Sequence, residues 1–404
     1  MYFDPLEALA ARYDNVILRD RAGNPSVFVR FEKCLSSDLD PSLPAHVHPA
    51  FIIDGKERDY ILIGKYKAGE AENTGTRALY SLPNTEPKHS LSVENAMPRM
   101  RAAGPGVSCM TIADYGFLKL LAQKLGWEAR GNNRRGMSEY DGKEWTTGAN
   151  YAAGVIRGHN GWLYECLEAH VSAADTRPDH NPRLWKRKKF VGGVWNGKID
   201  AASYQTGHNT LNGTGPAEWY LGNDARSVAD LIGSHREYQA GYRVVGMELQ
   251  VLENNDAADP EADMSAGSGA WRAILPHSAD DGYDLVAPGT AGTLHWNWTG
   301  SAIQLDTQCD DMTVGQKSTL FSQLTAHATR LPYVPCIVKE LGLFPTDGDT
   351  TGGTVSMAFM SVERLCWRGV PRGTNSAGLG SVAATQNRDY VTNNYGFRTR
   401  AMES

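Results

Sequence analysis

The sequence has few cysteines, and none is spaced for a metal site or a disulfide framework. Its 404 residues include six cysteines, scattered along the chain without a CxxC pair. Zinc sites and disulfide-stapled domains both need cysteines at short, recurring spacings. We therefore predict six reduced thiols, most of them buried.

Long apolar runs and a strong net charge are also missing. No stretch approaches the roughly 18 apolar residues of a membrane-spanning helix, and the N-terminus lacks the pattern of a cleaved signal peptide. The formal net charge of −6 offers no broad basic face to a phosphate backbone. We expect no membrane span, no cleaved signal and no nucleic-acid partner. The basic run at 183–189 is interpreted as a solvated strand or loop face.

Catalytic signatures are absent as well, since the chain has no GxSxG, HExxH, P-loop or GxGxxG pattern. Three local patterns could carry chemistry. His46 and His48 could share a metal, the acidic run at 306–312 could offer oxygen ligands to calcium, and Cys166 could be activated by His170. Each lacks a further group at the right spacing, so structural roles are favoured. We expect no enzyme activity and no cofactor, with a structural calcium ion left open.

Glycine and aromatic residues are abundant, with 42 Gly, 17 Tyr and 10 Trp, which is typical of a turn-rich, aromatic-pinned fold. The clearest helix is "TIADYGFLKLLAQKLGW". Thr111 can cap it, Asp114 completes a capping box, and Gly126 ends it. A shorter helix is predicted to start at Ser92 and to break near Pro98.

Strands are predicted where apolar residues alternate. The stretch "SVFVRFEKC" indicates one strand, and "HPAFIIDGKERDYILIGKYKAG" indicates a hairpin that turns at "DGKERD". Residues 254–270 are acidic and rich in small side chains, so we predict an exposed connector there.

The end of the chain carries a spaced frame of Arg368-Gly369, Ala377-Gly378-Leu379, Arg388 and Gly396-Phe397-Arg398. This frame resembles the last part of the C-type lectin fold, in the branch shared by formylglycine-generating sulfatase-modifying factors and the variable proteins of phages and diversity-generating retroelements. The hairpin, the main helix and the stretch "AEWYLGNDARSVADLIGSHREYQAGYRVVGMELQ" are similar to that branch in order and spacing. The resemblance implies an α+β C-type lectin fold over residues 46–404. Residues 1–45 would then be a tether or oligomerisation segment.

The resemblance also implies a binding function. In the variable proteins the last segment is a surface patch on a rigid scaffold, which corresponds here to residues 367–400. Ala377, Leu379, Phe397 and Arg398 would be its anchors. The implied partner is a host-surface protein or glycan receptor, bound by a homo-trimer in a virion tail or by a bacterial protein without a recognisable cleaved signal. The residues expected to contact the ligand are Arg372, Thr374, Asn375, Gln386, Asn387, Asp389, Tyr390, Thr392, Asn393 and Asn394.

Two departures from the family pattern bear on other roles. The enzymes of the branch use a pair of cysteines near the end of the chain, whereas Cys366 stands alone here. A sulfatase-modifying-factor-like oxidase is therefore the alternative and not the preferred function. Ser234, Glu237 and Tyr238 stand where the family has Asn and a Glu-Trp pair, which argues against a metal there.

A second resemblance lies in an aromatic-rich β insert at about residues 145–190. Tyrosine, glycine, proline and tryptophan residues of this segment follow the order seen in small chitin-binding modules, which also recur in phage tail proteins. The resemblance implies that Trp162, Tyr164 and Trp185 stack on sugar rings. A purely structural insert and a carbohydrate-binding module both remain open. The residues that carry this resemblance are Tyr151, Gly154, Val155, Gly161, Tyr164, Pro178, Pro182 and Trp185.

Overall fold

The structure is a computed structural model that describes residues 5–71, 77–134, 136–199, 208–371 and 378–402. The fold is mostly β, with 33% of residues in strands and 16% in helices, and the strands form several sheets. The expected α+β C-type lectin fold is therefore wrong. Helical periodicity is confined to a few segments, and many more of the buried apolar side chains lie on strands than on α-helices.

The main helix forms as predicted. Thr111 Oγ1 accepts a hydrogen bond from Asp114 N at 3.1 Å, and Asp114 Oδ2 accepts one from Thr111 N at 3.0 Å, which confirms the capping box. Ser92 caps the shorter helix, but that helix continues past Pro98, so the predicted break is wrong. Proline removes a single backbone donor there, and the last turn still forms. The α-helices in the described ranges are Pro5–Arg12, Ser36–Leu39, Val93–Arg101, Ile112–Lys124 and Cys336–Glu340.

A five-stranded sheet joins the two ends of the chain. Its strands, in spatial order, are Val16–Arg19, Pro25–Glu32, Tyr60–Gly64, Thr399–Ala401 and Val107–Cys109. The strand predicted in "SVFVRFEKC" is confirmed, and Val27, Phe28 and Val29 are buried. The predicted N-terminal tether thus contributes two strands to the body of the molecule.

The predicted hairpin after residue 48 forms only in part. Ile52–Ile53 pairs with the short strand Lys56–Glu57, whereas Tyr60–Gly64 pairs with Pro25–Glu32. The two apolar runs therefore do not pair with each other. The second run is buried from Ile61 to Gly64 in the five-stranded sheet, where it has strand neighbours on both sides.

A twelve-stranded sheet forms the largest part of the fold, and its central strand is buried from Glu237 to Val244. The main path, in spatial order, runs through Gly315–Leu320, Thr354–Phe359, Val382–Gln386, Arg364–Arg368, Arg236–Val245, Glu248–Val251, His295–Trp298, Ile303–Asp306 and Thr325–Ala326. Beside this path lie Arg272–Pro276, Tyr283–Val286 and Tyr395–Gly396.

A buried ionic cluster ties the end of the chain to both sheets. The Arg398 guanidinium donates to both carboxylate oxygens of Glu237 at 2.9 Å and to the carbonyls of Gly64 and Ala229. Lys67 also binds Glu237. Burial alone would raise the pKa of Glu237, but the charges of Arg398 and Lys67 hold it below its usual value. The Glu237 carboxylate is thus occupied by two cations of the chain.

The predicted exposed connector at 254–270 is partly buried. Asn255 Nδ2 donates to Ala50 O at 2.8 Å and to Asp114 Oδ1 at 3.0 Å, and Ala257 and Ala258 pack in the interior. The prediction of an exposed connector is therefore wrong for these residues. The reason is that Asn255 satisfies groups at the start of the main helix that would otherwise be buried without partners.

The remaining sheets are small. A three-stranded sheet contains Ile156–His159, Trp162–Cys166 and Trp185–Phe190. Two-stranded pairs are Asn150–Tyr151 with His170–Val171, Trp195–Ile199 with His208–Thr210, Ala68–Glu70 with Leu79–Ser81, and Gly131–Asn132 with Ile232–Gly233. All six cysteines are free, which confirms that prediction, and four of them are buried. Within the described ranges, no helix has the length and apolar character needed to cross a membrane.

Candidate functional site

The middle of the chain leaves and re-enters the body through a junction packed with glycines. Gly193 N donates to Gly136 O at 3.0 Å, while Val191 N and Gly192 N both donate to Gly161 O. A Cβ on Gly192 would lie 2.0 Å from Gly136 O and 2.5 Å from the Cα of Gly161. Backbone segments can approach this closely only where no side chain is present.

The insert beyond this junction has its own aromatic core. Trp145, Tyr151, Tyr164, Cys166 and Trp185 form one buried cluster. The rings of Tyr151 and Trp185 meet edge to face at 5.3 Å. Tyr164 and Trp185, both predicted to stack on sugar, are only 5% and 2% exposed. Their ring faces are covered by the insert itself and are not available to a ligand.

Trp162 is the predicted stacking residue that remains half-exposed. Its ring lies 5.1 Å from the ring of Phe190, on the neighbouring strand. The Arg187 guanidinium carbon lies 4.4 Å from the centre of the Trp162 ring. The indole is therefore held in place by an aromatic side chain and by a cation.

A β-bulge puts these side chains on one face. In the strand Trp185–Phe190, Arg187 lies opposite Tyr164, but Lys189 lies opposite Leu163, so Lys188 is the extra residue. A one-residue bulge reverses the side-chain alternation beyond it. Phe190 consequently lies opposite Trp162, on the same face as Arg187.

Polar residues surround this face. Asp179 Oδ2 accepts a hydrogen bond from Asn160 Nδ2 at 3.0 Å, and Asp179 Oδ1 lies 3.2 Å from His159 Nε2. Burial would raise the pKa of Asp179, but the hydrogen bond with His159 and the neighbouring His180 and Arg177 hold it below its usual value. Asp179 therefore stays ionised, with its charge balanced inside the insert.

The pair Cys166 and His170 does not form an activated nucleophile. Cys166 Sγ lies 3.6 Å from His170 Nδ1 but donates to Glu168 O at 3.1 Å. Burial raises the pKa of the Cys166 thiol. The thiol stays protonated and donates within a local turn to the Glu168 carbonyl, in agreement with a structural role.

The two other candidate patterns are occupied by internal contacts. His46 Nε2 lies 2.5 Å from Glu340 Oε1, and His48 is fully buried beside the carbonyl of Glu340. In the acidic run, Asp306 Oδ1 accepts a hydrogen bond from Arg330 Nε at 2.8 Å. Among the residues that the structure describes, no three His, Cys, Asp or Glu side chains converge to hold a metal ion.

The C-terminal segment is fixed from beneath by its backbone. Ser90 N donates to Thr392 O at 3.0 Å, Val93 N to Arg388 O at 3.2 Å, and Arg236 N to Asn394 O at 2.9 Å. The proposed anchors Leu379, Phe397 and Arg398 are buried. The anchor Ala377 lies outside the described residues.

The outward side of this segment carries polar side chains and one tyrosine. Tyr390 is 36% exposed and packs on Tyr395, whose ring lies 4.5 Å from that of the buried Trp367. Arg372, Thr374 and Asn375 lie outside the described residues. Exposed or half-exposed positions are held by Gln386, Asn387, Asp389, Tyr390, Thr392, Asn393 and Asn394.

Arg388 has a structural role within the same segment. Its guanidinium donates to both carboxylate oxygens of Glu363, at 2.6 and 2.9 Å, and Glu363 also accepts from Arg243 at 2.9 Å. Burial would raise the pKa of Glu363, but the bonds from Arg388 and Arg243 keep it below its usual value. The segment is thereby held to the large sheet by a bidentate ion pair.

Sequence reasoning missed the cationic part of the insert. Arg157 and Arg187 flank Tyr164 on the three-stranded sheet, and the guanidinium of each lies over an aromatic ring. The alternation of Trp185 and Arg187 was visible in the sequence. The bulge at Lys188 was not visible in the sequence. Without the bulge, the side chains of this strand cannot be assigned to one face of the sheet or the other.

Comparison with protein families gives one finding for this chain. Residues 144–186 match the model of carbohydrate-binding module family 5/12. A comparison with curated proteins gave no match. The family match supports the carbohydrate-binding alternative, and it covers Arg157, Trp162 and the aromatic core of the insert. This small β unit, and not the C-terminal segment, is thus the part of the chain that is similar to a carbohydrate-binding module.

Proposed function

We propose that the chain binds carbohydrate through the three-stranded sheet of the insert, with Trp162 as the stacking residue. The observation that carries the proposal is the family match at residues 144–186 on a folded unit that leaves Trp162 half-exposed. Binding is an equilibrium process without a chemical step.

The surroundings of Trp162 suit a sugar ring. An indole offers a flat apolar face for the C–H groups of a pyranose, and its neighbours supply hydrogen-bond donors for the hydroxyls. Phe190 and Arg187 already pack on Trp162. Because the ring is held before binding, little conformational entropy is lost on contact.

The test is binding of the full chain to insoluble chitin and cellulose, together with electrophoresis through gels that contain soluble polysaccharides. Trp162→Ala should weaken binding at least tenfold, or about 1.4 kcal/mol. Tyr333→Ala is the matched control, because Tyr333 is an exposed aromatic residue outside the insert. Unchanged binding by Trp162→Ala, or no binding by the unaltered chain, would contradict the proposal.

A second candidate is recognition by the C-terminal segment of residues 386–395. The exposed Tyr390 stands on Tyr395 and Trp367, and polar side chains surround it. Rigid aromatic contacts among adaptable hydrogen-bonding residues are typical of recognition surfaces. On this proposal the chain acts as a receptor-binding protein of a phage tail or as a retroelement-diversified protein, and a trimer adds avidity.

Flow cytometry of labelled protein on intact bacterial cells separates the two surfaces. A variant with Asn387→Ala, Asp389→Ala and Tyr390→Ala should lose cell binding if the C-terminal segment is the contact. Trp162→Ala should lose cell binding if the insert is the contact. Light scattering tests the trimer, and a monomer would remove the avidity argument.

A further inference from the structure

We infer that the insert recognises acidic polysaccharides, whose carboxylates bind between Arg157 and Arg187. This inference rests on the proposed carbohydrate-binding function and specifies its ligand class.

The two arginines occupy equivalent positions on the sheet. In the register of the three strands, Arg157 lies opposite Tyr164 on one side and Arg187 lies opposite Tyr164 on the other. Side chains of directly paired residues lie on the same face. The two Cα atoms are therefore separated by two strand spacings, or about 10 Å.

Each guanidinium is held by an aromatic ring. The Arg157 guanidinium carbon lies 5.1 Å from the centre of the Tyr151 ring, and that of Arg187 lies 4.4 Å from the centre of the Trp162 ring. A guanidinium over a ring can still donate from its in-plane N–H groups. Arg157 Nη1 donates to Ile156 O at 2.7 Å, which leaves the other N–H groups of Arg157 for a ligand. Both guanidinium groups are thus oriented before a ligand binds.

Neither arginine is neutralised by the chain. Within the described residues, no carboxylate lies within 4.0 Å of the Arg157 or Arg187 side chains. The nearby Glu165 pairs with Lys188 at 2.9 Å, and Asp179 is engaged by His159 and Asn160. Arg157 and Arg187 lie on one face, two strands apart, and their like charges repel each other. An anion between the two arginines would remove this cost and gain charge-assisted hydrogen bonds.

The rest of the strand adds positive potential. Lys186 and Lys189 are exposed and form no ion pair within the part of the chain that is described. Concentrated positive charge on a chain with a net charge of −6 attracts polyanions locally. Lys186 lies opposite Glu165 and Lys189 lies opposite Leu163, so both side chains project from the other face of the sheet. The basic run at 183–189 therefore adds to the local potential without lining the site.

The aromatic component favours a glycan over a phosphate backbone. A planar carboxylate matches the guanidinium fork bidentately. Arg187 lies over the Trp162 ring, and the part of this half-exposed indole that Arg187 leaves uncovered provides the apolar surface that a pyranose ring needs. A sugar that carries a carboxylate uses both features of the face at once.

The experiment compares polygalacturonate, alginate and hyaluronate with methyl-esterified polygalacturonate, by gel affinity electrophoresis and calorimetry of the full chain. Esterification removes the charge and leaves the sugar unchanged. We expect at least tenfold weaker binding to the ester. The double variant Arg157→Gln and Arg187→Gln should lose this preference. A control with Lys56→Gln and Lys317→Gln removes the same charge outside the insert and should retain it.

Several outcomes would overturn the inference. Equal binding of the acid and its ester by the unaltered chain would do so while leaving carbohydrate binding intact. So would equally tight binding of a single-stranded oligonucleotide that depends on the same two arginines, because the site would then be a general polyanion site. Binding of neither the acidic glycans nor chitin and cellulose would reject the proposed function together with the inference.

Discussion

His48 is a fully buried histidine that links pH to the stability of the body. Its Nδ1 accepts from Ala50 N at 3.1 Å, and its Nε2 lies 3.2 Å from Glu340 O, so Nε2 carries the proton. Burial lowers the pKa of His48 to about 4, although the charge of Glu340 acts in the opposite direction. The folded state therefore holds a neutral imidazole at every pH where most proteins are stable.

We predict that this histidine destabilises the fold in mild acid. The unfolded side chain takes up a proton near pH 6.5, whereas the folded one does so near 4. Between these values the unfolded state binds more protons than the folded state. The free energy of unfolding therefore decreases as the pH is lowered, by about 3 kcal/mol at most. His48→Gln should flatten the dependence. Urea titrations of both proteins between pH 7 and 4.5 measure it, and parallel curves would contradict the assignment.

The carboxylate of Glu363 holds two cations near the C-terminal segment. Its side chain is 16% exposed, and those of Arg243 and Arg388 are 8% and 13% exposed. Glu363→Gln would leave the poorly solvated Arg243 without a counter-charge and Arg388 with only the solvent-exposed Glu94, so we expect a loss of about 3 kcal/mol. Glu94→Gln serves as the control, because Glu94 contacts Arg388 from a solvent-exposed position and should cost less than about 1 kcal/mol. Equal losses of unfolding free energy for Glu363→Gln and Glu94→Gln in urea titrations would contradict this role of Glu363.

At the scale of elements, the junction of the insert depends on glycine. A methyl group on Gly192 would collide with the backbone of Gly136 and Gly161. We predict that Gly192→Ala destabilises the docking of the insert by about 2 kcal/mol or more. Gly267→Ala is the matched control, because a Cβ at this position would meet no atom within 4 Å. Limited proteolysis between residues 138 and 190 should accelerate for the first variant and not for the second, and equal rates would count against the junction.

Elements set by local chemistry were predictable from the sequence. The helix Ile112–Lys124 follows from Thr111 and Asp114, which need only their own neighbours in the chain. The continuation of Val93–Arg101 past Pro98 and the bulge at Lys188 depend on packing and on partner strands. Such features cannot be deduced from spacing alone.

At the scale of the whole molecule, the fold class was missed because its pairings are distant in sequence. The strand Thr399–Ala401 lies between Tyr60–Gly64 and Val107–Cys109, and no local pattern encodes that position. The family resemblance was carried by the spacing of a few residues near the end of the chain. The predominance of strands depends on all of the sheets together.

The insert was identified from sequence, but which of its aromatic rings are exposed was not. The order of glycines and aromatic residues marks the insert, because it is a local pattern. That order is the same whether a ring packs inward or faces solvent. Tyr164 and Trp185 form the core, and Trp162 stays half-exposed, only because of how the three strands pair.

Hydrogen-exchange mass spectrometry of the full chain, with and without a glycan, tests whether the insert is the surface that binds glycan. The probes are galacturonate oligosaccharides and chitin oligosaccharides, each at a concentration that saturates binding. If the insert binds glycan, we expect slower exchange in peptides that cover residues 156–166 and 185–190, with residues 386–395 unchanged. Slower exchange at residues 386–395 alone, or unchanged exchange throughout the insert while glycan is bound, would contradict it.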